Sequence, residues 1–369
     1  MKILLSGGGT AGHINPAIAI AQILSRAYPS ASIEFVGTPC GMEGELVRRA
    51  GFKMHELAVE GLSRKATLRN IRVVVRALLA TKNAEKLLEA EKPSLVIGTG
   101  GYVCFPLLYA AERRKIPTVI HESNAYPGLV VKLLAKKADK VLLNFPSCGD
   151  HLPKCSRKII TGNPLRAGFE GLDRTEARKK LSIKEGEKLL ISFGGSLGAE
   201  KINNAMALAI PCLYRKYPDL HIVHATGKKN YSSFLKLFDS YFKADTKRVD
   251  ILPYLEDMAS YMTAADLLIC RSGAMTLSEA AYTATPAILI PYPGATGDHQ
   301  TKNAMTLAEQ KAAVLIPDAD LSPERLLAEL DKILNSSDKL SAMKARISDF
   351  AIRDTDDRIL NALSEFLKS

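Results

Sequence analysis

The sequence predicts an α/β protein made of two Rossmann-like domains, and three observations carry that prediction. Apolar runs of strand length alternate with amphipathic runs of helix length along the 369-residue chain, the pattern of a parallel sheet covered on both faces. A strand at 2–6, a glycine-rich turn at 7–13 and a helix open the chain, and the same succession recurs at 188–193, 194–199 and 200–214. Between the halves lies a crossover, Thr161-Gly162-Asn163-Pro164-Leu165-Arg166. The expected division is 1–163, 164–345 and a terminal helical segment at 346–369.

The first half supplies strands at 2–6, 33–36, 53–57, 95–97, 118–120, 140–143 and 158–160. Its helices begin near Asn15-Pro16 and cover about 67–90, 105–114 and 127–137. In the second half a short basic helix at 174–181 precedes strands at 188–193, 221–225, 249–251, 266–270, 287–290 and 313–316, with helices between and after them.

Composition bounds what this fold does. Hydrophobic residues make up 47% of the chain, ample for two cores. The apolar run before the first glycines is too short for a signal peptide, and no run approaches the ~18 residues of a membrane span. Six cysteines, at 40, 104, 148, 155, 212 and 270, lack C-x-x-C pairing or nearby histidines; reduced thiols are expected, without disulfide or structural zinc. The net charge of +11 is unevenly placed: residues 1–163 hold 23 Lys/Arg and 12 Asp/Glu, residues 164–369 hold 27 of each. A basic first half implies an anionic partner: a membrane surface, nucleic acid or a polyanionic substrate.

Segment 62–92 carries part of that charge. Arg69, Arg72 and Arg76 fall on one helical face and Ile71, Val74, Val75, Leu78 and Leu79 spread over the other, with Arg64, Lys65 and Lys82 flanking. Such a helix either buries its apolar face in a core or lies in a membrane interface.

Gly7, Gly9 and Gly12 satisfy G-x-G-x-x-G, the dinucleotide fingerprint. The next strand argues against a dinucleotide, because Gly37-Thr38 occupy the end where an acid should hold the ribose and Glu34 lies inside. A phosphate-cradling turn fits better. Gly98-Thr99-Gly100-Gly101-Tyr102 and His121-Glu122-Ser123-Asn124 end two further strands. Tight turns alone would explain any one glycine loop; neighbouring loops point to a ligand.

The second half concentrates its chemistry in 271–304. A buried strand stops at Arg271-Ser272-Gly273, where a helix starts, so backbone amides and the helix dipole face a ligand there. Glu279 lies two turns along that helix, and Asp298-His299-Gln300 follow the next strand. Asp318-Ala319-Asp320 and Asp354-Thr355-Asp356-Asp357 have the acid-x-acid spacing of metal-dependent sugar transferases, but each precedes a helical pattern and reads as helix-start acids.

In order, G-G-G-T-A-G-H-I-N-P-A, G-T-G-G-Y-V, H-E-S-N, G-N-P-L-R, G-G-S-L-G-A, C-R-S-G-A-M-T-L-S-E and D-H-Q-T-K-N-A span nearly the whole chain. Together they resemble the MurG family, the UDP-N-acetylglucosamine:N-acetylmuramyl-(pentapeptide) pyrophosphoryl-undecaprenol N-acetylglucosaminyltransferases of peptidoglycan synthesis. The resemblance implies a GT-B-type fold, two Rossmann-like domains facing across a cleft with the C-terminal helix returning to the first. It implies inverting, metal-independent transfer from UDP-N-acetylglucosamine to lipid I, forming β-1,4-linked lipid II, without cofactor. It places the protein peripherally on the cytoplasmic face of the bacterial membrane, with the anionic surface and wall-synthesis proteins as partners.

By position, the resemblance puts Ser196 at the donor diphosphate, the backbone near Leu255 and Arg271, Ser272 and Gly273 at uracil, and Glu279 at the ribose. Ala274, Met275, Thr276, Leu277 and Ser278 complete that motif, and Gln300 meets the sugar. Thr10, Ala11, Gly12, Asn124 and Arg166 match donor positions from the first half. Gly8, Gly9, Gly12, Gly100, Gly101 and Tyr102 receive the acceptor diphosphate. The first candidate for the base is His13, since an ordinary imidazole titrates at about 6.5, with His121 or Glu122 as alternatives; the other reading of His13 is a loop-ordering histidine bonded to backbone or phosphate. Ala11, Ser123, Leu197 and Cys104-Phe105 depart from commoner family wording. A UDP-sugar 2-epimerase is the rival enzyme reading. A basic nucleic-acid binder is the non-enzymatic one, though the clustered aromatics that stack bases are missing.

Overall fold

The computed structural model describes residues 1–39, 41–59, 68–154, 157–195, 197–242 and 247–367, with the backbone alone at 68–78. The chain divides into two compact units, Met1–Arg166 with Ile352–Ser369, and Ala167–Ala351. Counted on this division, the first unit holds 27 Lys/Arg against 16 Asp/Glu and the second 23 of each.

The first unit runs β1 (Lys2–Ser6), α1 (Ala11–Ala27), β2 (Ser32–Gly37), α2 (Met42–Arg49), β3 (Lys53–Glu56), α3 (Leu68–Glu91), β4 (Leu95–Gly98), α4 (Cys104–Arg113), β5 (Thr118–Glu122), α5 (Leu129–Leu134), β6 (Lys140–Leu143) and β7 (Lys158–Ile160). All pairings are parallel, in the order β3-β2-β1-β4-β5-β6-β7. The central strands are near-continuous apolar runs because both faces are covered. Ile3, Leu5 and Ile97 pack with Ile14, Ile20 and Leu24 of α1 on one face. Leu4, Val96 and Ile120 pack with Leu88, Leu107 and Leu108 on the other.

Helix α1 starts at Ala11, earlier than the sequence suggests, because the Thr10 carbonyl accepts from the His13 and Ile14 amides at 3.0 and 3.2 Å. Pro16 therefore lies inside the helix, where its missing N–H leaves the Gly12 carbonyl without its usual intrahelical donor. The arginine face proposed for 62–78 lies outside the described side chains.

A late segment completes this unit. Ile359 and Leu363 of the terminal helix (Thr355–Leu363) join the core under α1. Lys140, almost buried, donates to the Ala362 carbonyl at 2.5 Å and meets Glu365 at 2.5 Å. Gly162, at φ +82°, lies so close to Ile352 and Thr355 that a Cβ would sit 2.6 Å from the Thr355 hydroxyl.

The second unit runs α6 (Arg174–Lys180), β8 (Lys188–Phe193), α7 (Glu200–Lys216), β9 (Leu220–Ala225), α8 (Tyr231–Tyr241), β10 (Val249–Leu252), α9 (Met258–Ala264), β11 (Leu267–Cys270), α10 (Ala274–Tyr282), β12 (Ala287–Leu289), α11 (His299–Glu309), β13 (Ala313–Leu315), α12 (Pro323–Leu334) and α13 (Ser337–Ser348); the terminal helix is α14. Its parallel sheet is ordered β10-β9-β8-β11-β12-β13. Arg174 and Arg178 pair with Asp266 at 2.7 and 3.3 Å, and Asp266 also accepts from the Leu189 amide at 2.8 Å, tying α6 to the sheet.

One acidic pair differs from its sequence reading. Residues 318–320 form a short 3-10 turn, and α12 is capped instead by Ser322, whose hydroxyl accepts from the Arg325 amide at 3.1 Å. Asp318 faces Arg271 at 2.5 Å, a contact between residues far apart in sequence. Asp354 does precede α14, with Asp356 and Asp357 in its first turn.

At the first sheet's edge, Glu34 is bound by Lys53 at 3.1 Å, Lys2 at 3.5 Å, Ser32 at 2.9 Å and His55. Burial alone would raise its carboxyl, but the hydrogen bonds from His55, Ser32 and Lys53 and the Lys2 charge outweigh it, lowering the value from 4.5 to about 2. A carboxyl with a depressed folded value stabilises the fold fully above its unfolded value, and that contribution is lost as pH falls toward the folded one. Glu34→Gln is therefore expected to flatten the acid limb of stability between about 4.5 and about 2, removing at most ~3 kcal/mol near neutrality. Urea midpoints across that range check it.

Candidate active site

Each sheet reverses strand order once, between β1 and β4 and between β8 and β11. Ligands of open parallel sheets bind beyond the carboxyl ends of the strands at such a switch point.

In the first unit, β1 and β4 end side by side, with Ser6 opposite Gly98, and their two loops interlock. A Cβ on Gly7 would lie 2.0 Å from the Thr99 hydroxyl, and one on Gly101 2.1 Å from the Gly8 carbonyl. The Thr99 hydroxyl donates to the His13 carbonyl at 2.6 Å, fixing the first turn of α1. Tyr102, partly exposed, lies against Gly9, whose Cβ would meet its ring at 2.9 Å. The structure thus gathers Gly8, Gly9, Gly100, Gly101, Tyr102 and His13. Thr10 caps α1, whose early amides, Ala11 and Gly12, face out of the helix start.

The half-buried His13 ring lies between the loops. Its Nδ1 is 3.2 Å from the Gly8 carbonyl and 3.2 Å from the Thr10 hydroxyl, while Gly100 approaches its Cδ2 and Nε2 edge. With the proton on Nδ1, donated to Gly8, the lone pair lies on Nε2.

The alternative bases are engaged otherwise. His121 is fully buried, its Nε2 3.0 Å from the Gly162 carbonyl, and burial lowers it to about 4, so the ring is neutral near pH 7. Glu122 is also buried. One oxygen accepts from the Asn124 amide at 3.0 Å and its side chain at 2.8 Å, the other from Gly128 N–H at 2.9 Å. Burial raises its carboxyl despite those bonds. Both groups shape the loop that presents Asn124. Asn144, which the sequence reading passed over, joins that loop to the crossover: its side chain donates to the Ser123 carbonyl at 3.1 Å and accepts from the Asn163 amide at 3.1 Å, three residues before half-buried Arg166.

In the second unit Leu197 and Gly198 pack against Thr226 and Gly227. A Cβ on Gly198, at φ +77°, would lie 2.2 Å from the Thr226 carbonyl. Helix α7 follows, and the Asn203 amide bonds Ala199 at 2.9 Å, leaving Glu200, Lys201 and Ile202 as its first-turn amides. Ser196 lies outside the described residues. At β11 the same logic gives Ala274, Met275 and Thr276, because the Leu277 amide bonds Gly273 at 3.1 Å. Leu277 and Leu255 are buried, Glu279 is fully buried in α10, and the Ser278 hydroxyl bonds back to the Ala274 carbonyl at 3.2 Å.

The Ser272 hydroxyl donates to the Gln300 carbonyl at 2.8 Å, and Gln300 Oε1 accepts from Tyr292 N–H at 2.8 Å, so the motifs at 271–273 and 298–300 are physically joined. Arg271 points its guanidinium at the Ile290 and Pro291 carbonyls, 3.1 and 3.0 Å, and at Asp318. Its side chain is a strut.

Among the described residues, Glu34, His55 and Glu91 could offer ligand atoms to a metal. Lys2 and Lys53 already neutralise that cluster at the sheet edge, away from either switch point.

Glycine loops at the switch points of two parallel sheets are the architecture of nucleotide-binding α/β enzymes. Residues 3–143 match the glycosyltransferase family 28 N-terminal domain and residues 189–359 its C-terminal domain, and the fold is of the GT-B type. The chain is 40% identical to the UDP-N-acetylglucosamine–N-acetylmuramyl-(pentapeptide) pyrophosphoryl-undecaprenol N-acetylglucosamine transferase of Acetivibrio thermocellus, covering 100% of this chain and 99% of that one. MurG of Acinetobacter baumannii superposes with a TM-score of 0.80 at 28% identity, covering 99% of both chains. The chain belongs to the MurG family and is an N-acetylglucosaminyltransferase. UDP-GlcNAc 2-epimerase from Neisseria meningitidis, solved with UDP-GlcNAc, reaches a TM-score of 0.66 at 14% identity over 99% of this chain and 100% of that one; it shares the fold alone.

Two glycines of the 194–199 loop should respond differently to a methyl group. At Gly195, φ +90°, an added Cβ would have nothing within 4 Å, whereas at Gly198 it would meet backbone. Gly195→Ala is expected to lose ~1 kcal/mol of stability from positive-φ strain alone. Gly198→Ala adds a steric clash and should lose ~3 kcal/mol or more, as read by urea denaturation.

Proposed function

We propose that this enzyme transfers N-acetylglucosamine from UDP-N-acetylglucosamine to undecaprenyl-pyrophosphoryl-N-acetylmuramyl-pentapeptide, forming a β-1,4 linkage with inversion and without a metal. The observation that carries the reading is identity at 40% over the full length to a transferase of that name. Supporting it, four of the seven motifs follow β1, β4, β8 and β11, the strands that flank the two switch points.

In this mechanism the second unit holds the donor. First-turn amides of α7 and α10 take up charge on the departing diphosphate, the part a metal plays elsewhere. Glu279 receives the ribose, the 271–273 backbone the uracil, and Gln300 the sugar. The first unit holds the acceptor diphosphate on the 7–12 and 100–102 loops, and Thr10, Ala11, Gly12, Asn124 and Arg166 complete the donor contacts. His13 Nε2 takes the proton as the muramyl hydroxyl attacks the anomeric carbon from the face opposite UDP, whose bond breaks as the new one forms. His121 and Glu122 act as loop-ordering groups. The domain roles are acceptor and membrane for the first unit, nucleotide sugar for the second.

The same unit meets the cytoplasmic membrane surface in this reading. No helix among the described residues is long and apolar enough to cross a membrane. Leu129 and Leu133, one turn apart on α5, are 65% and 48% exposed, beside Lys132 and the exposed Lys136 and Lys137. Apolar side chains ringed by lysines suit an anionic bilayer surface.

Supplied with UDP-[14C]-N-acetylglucosamine and a lipid-linked muramyl pentapeptide, the enzyme is expected to move label into lipid; epimerised free nucleotide sugar or no turnover refutes the reading. His13→Ala should lower kcat at least ~100-fold, and turnover within about threefold of wild type removes His13 as the base. In vesicle sedimentation, Leu129→Glu with Leu133→Glu should weaken binding to anionic vesicles at least ~10-fold. Binding indifferent to this change and to salt would place the membrane face elsewhere.

A further inference from the structure

We propose that Asp318 is a positioning residue for donor binding, holding the diphosphate, nucleoside and sugar elements of the second unit in register. The proposal rests on the reading that this unit binds UDP-N-acetylglucosamine. Its basis is one connected set of bonds.

Asp318 Oδ1 lies 2.5 Å from Arg271 Nη1, and both side chains are largely buried, at 15% and 12% exposure. The same guanidinium nitrogen reaches the Ile290 and Pro291 carbonyls, and the guanidinium stacks 5.6 Å from the centre of the Tyr292 ring. Asp318 therefore fixes how Arg271 grips the 290–292 turn. That turn in turn holds Gln300 through the Tyr292 amide, and Gln300 is tied by its carbonyl to Ser272. Asn303 closes the circuit with a bond to the Ser272 carbonyl at 3.3 Å.

The other side of Asp318 points to α7. Lys201 Nζ is 3.6 Å from its Oδ2, donates to its carbonyl, and is 3.3 Å from the Ala319 carbonyl. Lys201 occupies the first turn of α7, directly behind the 194–199 loop. One carboxylate thus bridges the helix start that faces a diphosphate and the strand ends that face nucleoside and sugar. Neutralising it leaves a largely buried arginine short of its counter-charge while both neighbours keep their own positions in sequence.

Asp318→Asn and Asp318→Glu should be compared with wild type by titration calorimetry with UDP and by steady-state kinetics. Asp318→Asn is expected to weaken UDP binding and raise the donor KM about tenfold, with the acceptor KM unchanged and the far-ultraviolet circular dichroism native; Asp318→Glu should recover most of the loss. A merely structural role would move the two KM values together or neither. A folded Asp318→Asn with UDP affinity within about twofold of wild type overturns the proposal. Should Asp318→Asn fail to fold, Lys201→Met, which leaves the Arg271 pair intact, is expected to weaken UDP about threefold, and unchanged affinity there overturns it equally. Wild-type enzyme that does not bind UDP sinks the donor reading itself.

Discussion

The site in the first unit depends on how closely two backbones pass. Gly101 runs against the Gly8 carbonyl at a distance no Cβ would allow, and Gly7 leaves room for the Thr99 hydroxyl to reach the first turn of α1. Because the strands beneath are parallel neighbours at the switch point, the two loops rise together. Helix α1 is thereby aimed, and His13 is held between the loops. The second unit has an equally close pass, Gly198 against Thr226 and Gly227, made between the loops after β8 and β9. In both places amide groups already point outward before any ligand arrives, so charge is met without reorganisation.

Buried polar groups do the remaining placement. Glu122 gathers three donors from its own loop, His121 reaches across to Gly162, and Asn144 spans both. Their bonds run to backbone more than to side chains, which leaves little freedom to exchange these residues, although the buried His121 Nδ1 has no partner among the described residues. An unmatched buried partner would carry a desolvation penalty larger than the bond itself contributes.

Much of this was readable from residue order. Strand periodicity, glycine turns and the duplicated opening predicted the parallel sheets, and the strand ranges agree closely because long apolar runs bounded by glycine leave few alternatives. Helix starts were less legible: Pro16 suggested a later beginning for α1, whereas the Thr10 carbonyl begins it. The motif residues and their expected tasks followed from the resemblance, but the bonds that hold those residues in place did not. Arg271 entered through its backbone, and nothing in its motif announced that its side chain braces the 290–291 carbonyls. Asp318 looked like a helix-start acid and is the partner of Arg271, since pairing across 47 positions in sequence leaves no local signal. Asn144 sits at the end of β6 with nothing in its neighbourhood to mark it. Local patterns report local structure, and tertiary hydrogen bonds are written in no single stretch.

The terminal helix has a consequence for how the chain is made. Ile359, Leu363 and Leu367 belong to the core beside α1, yet the 185 residues of the second unit are synthesised between that core's first part and these residues. At ribosomal speeds of ~5–20 residues per second, the first unit waits roughly 10–40 s with an apolar groove uncovered. The unit that begins translation is the last to be completed. During that interval the second unit can fold ahead of it.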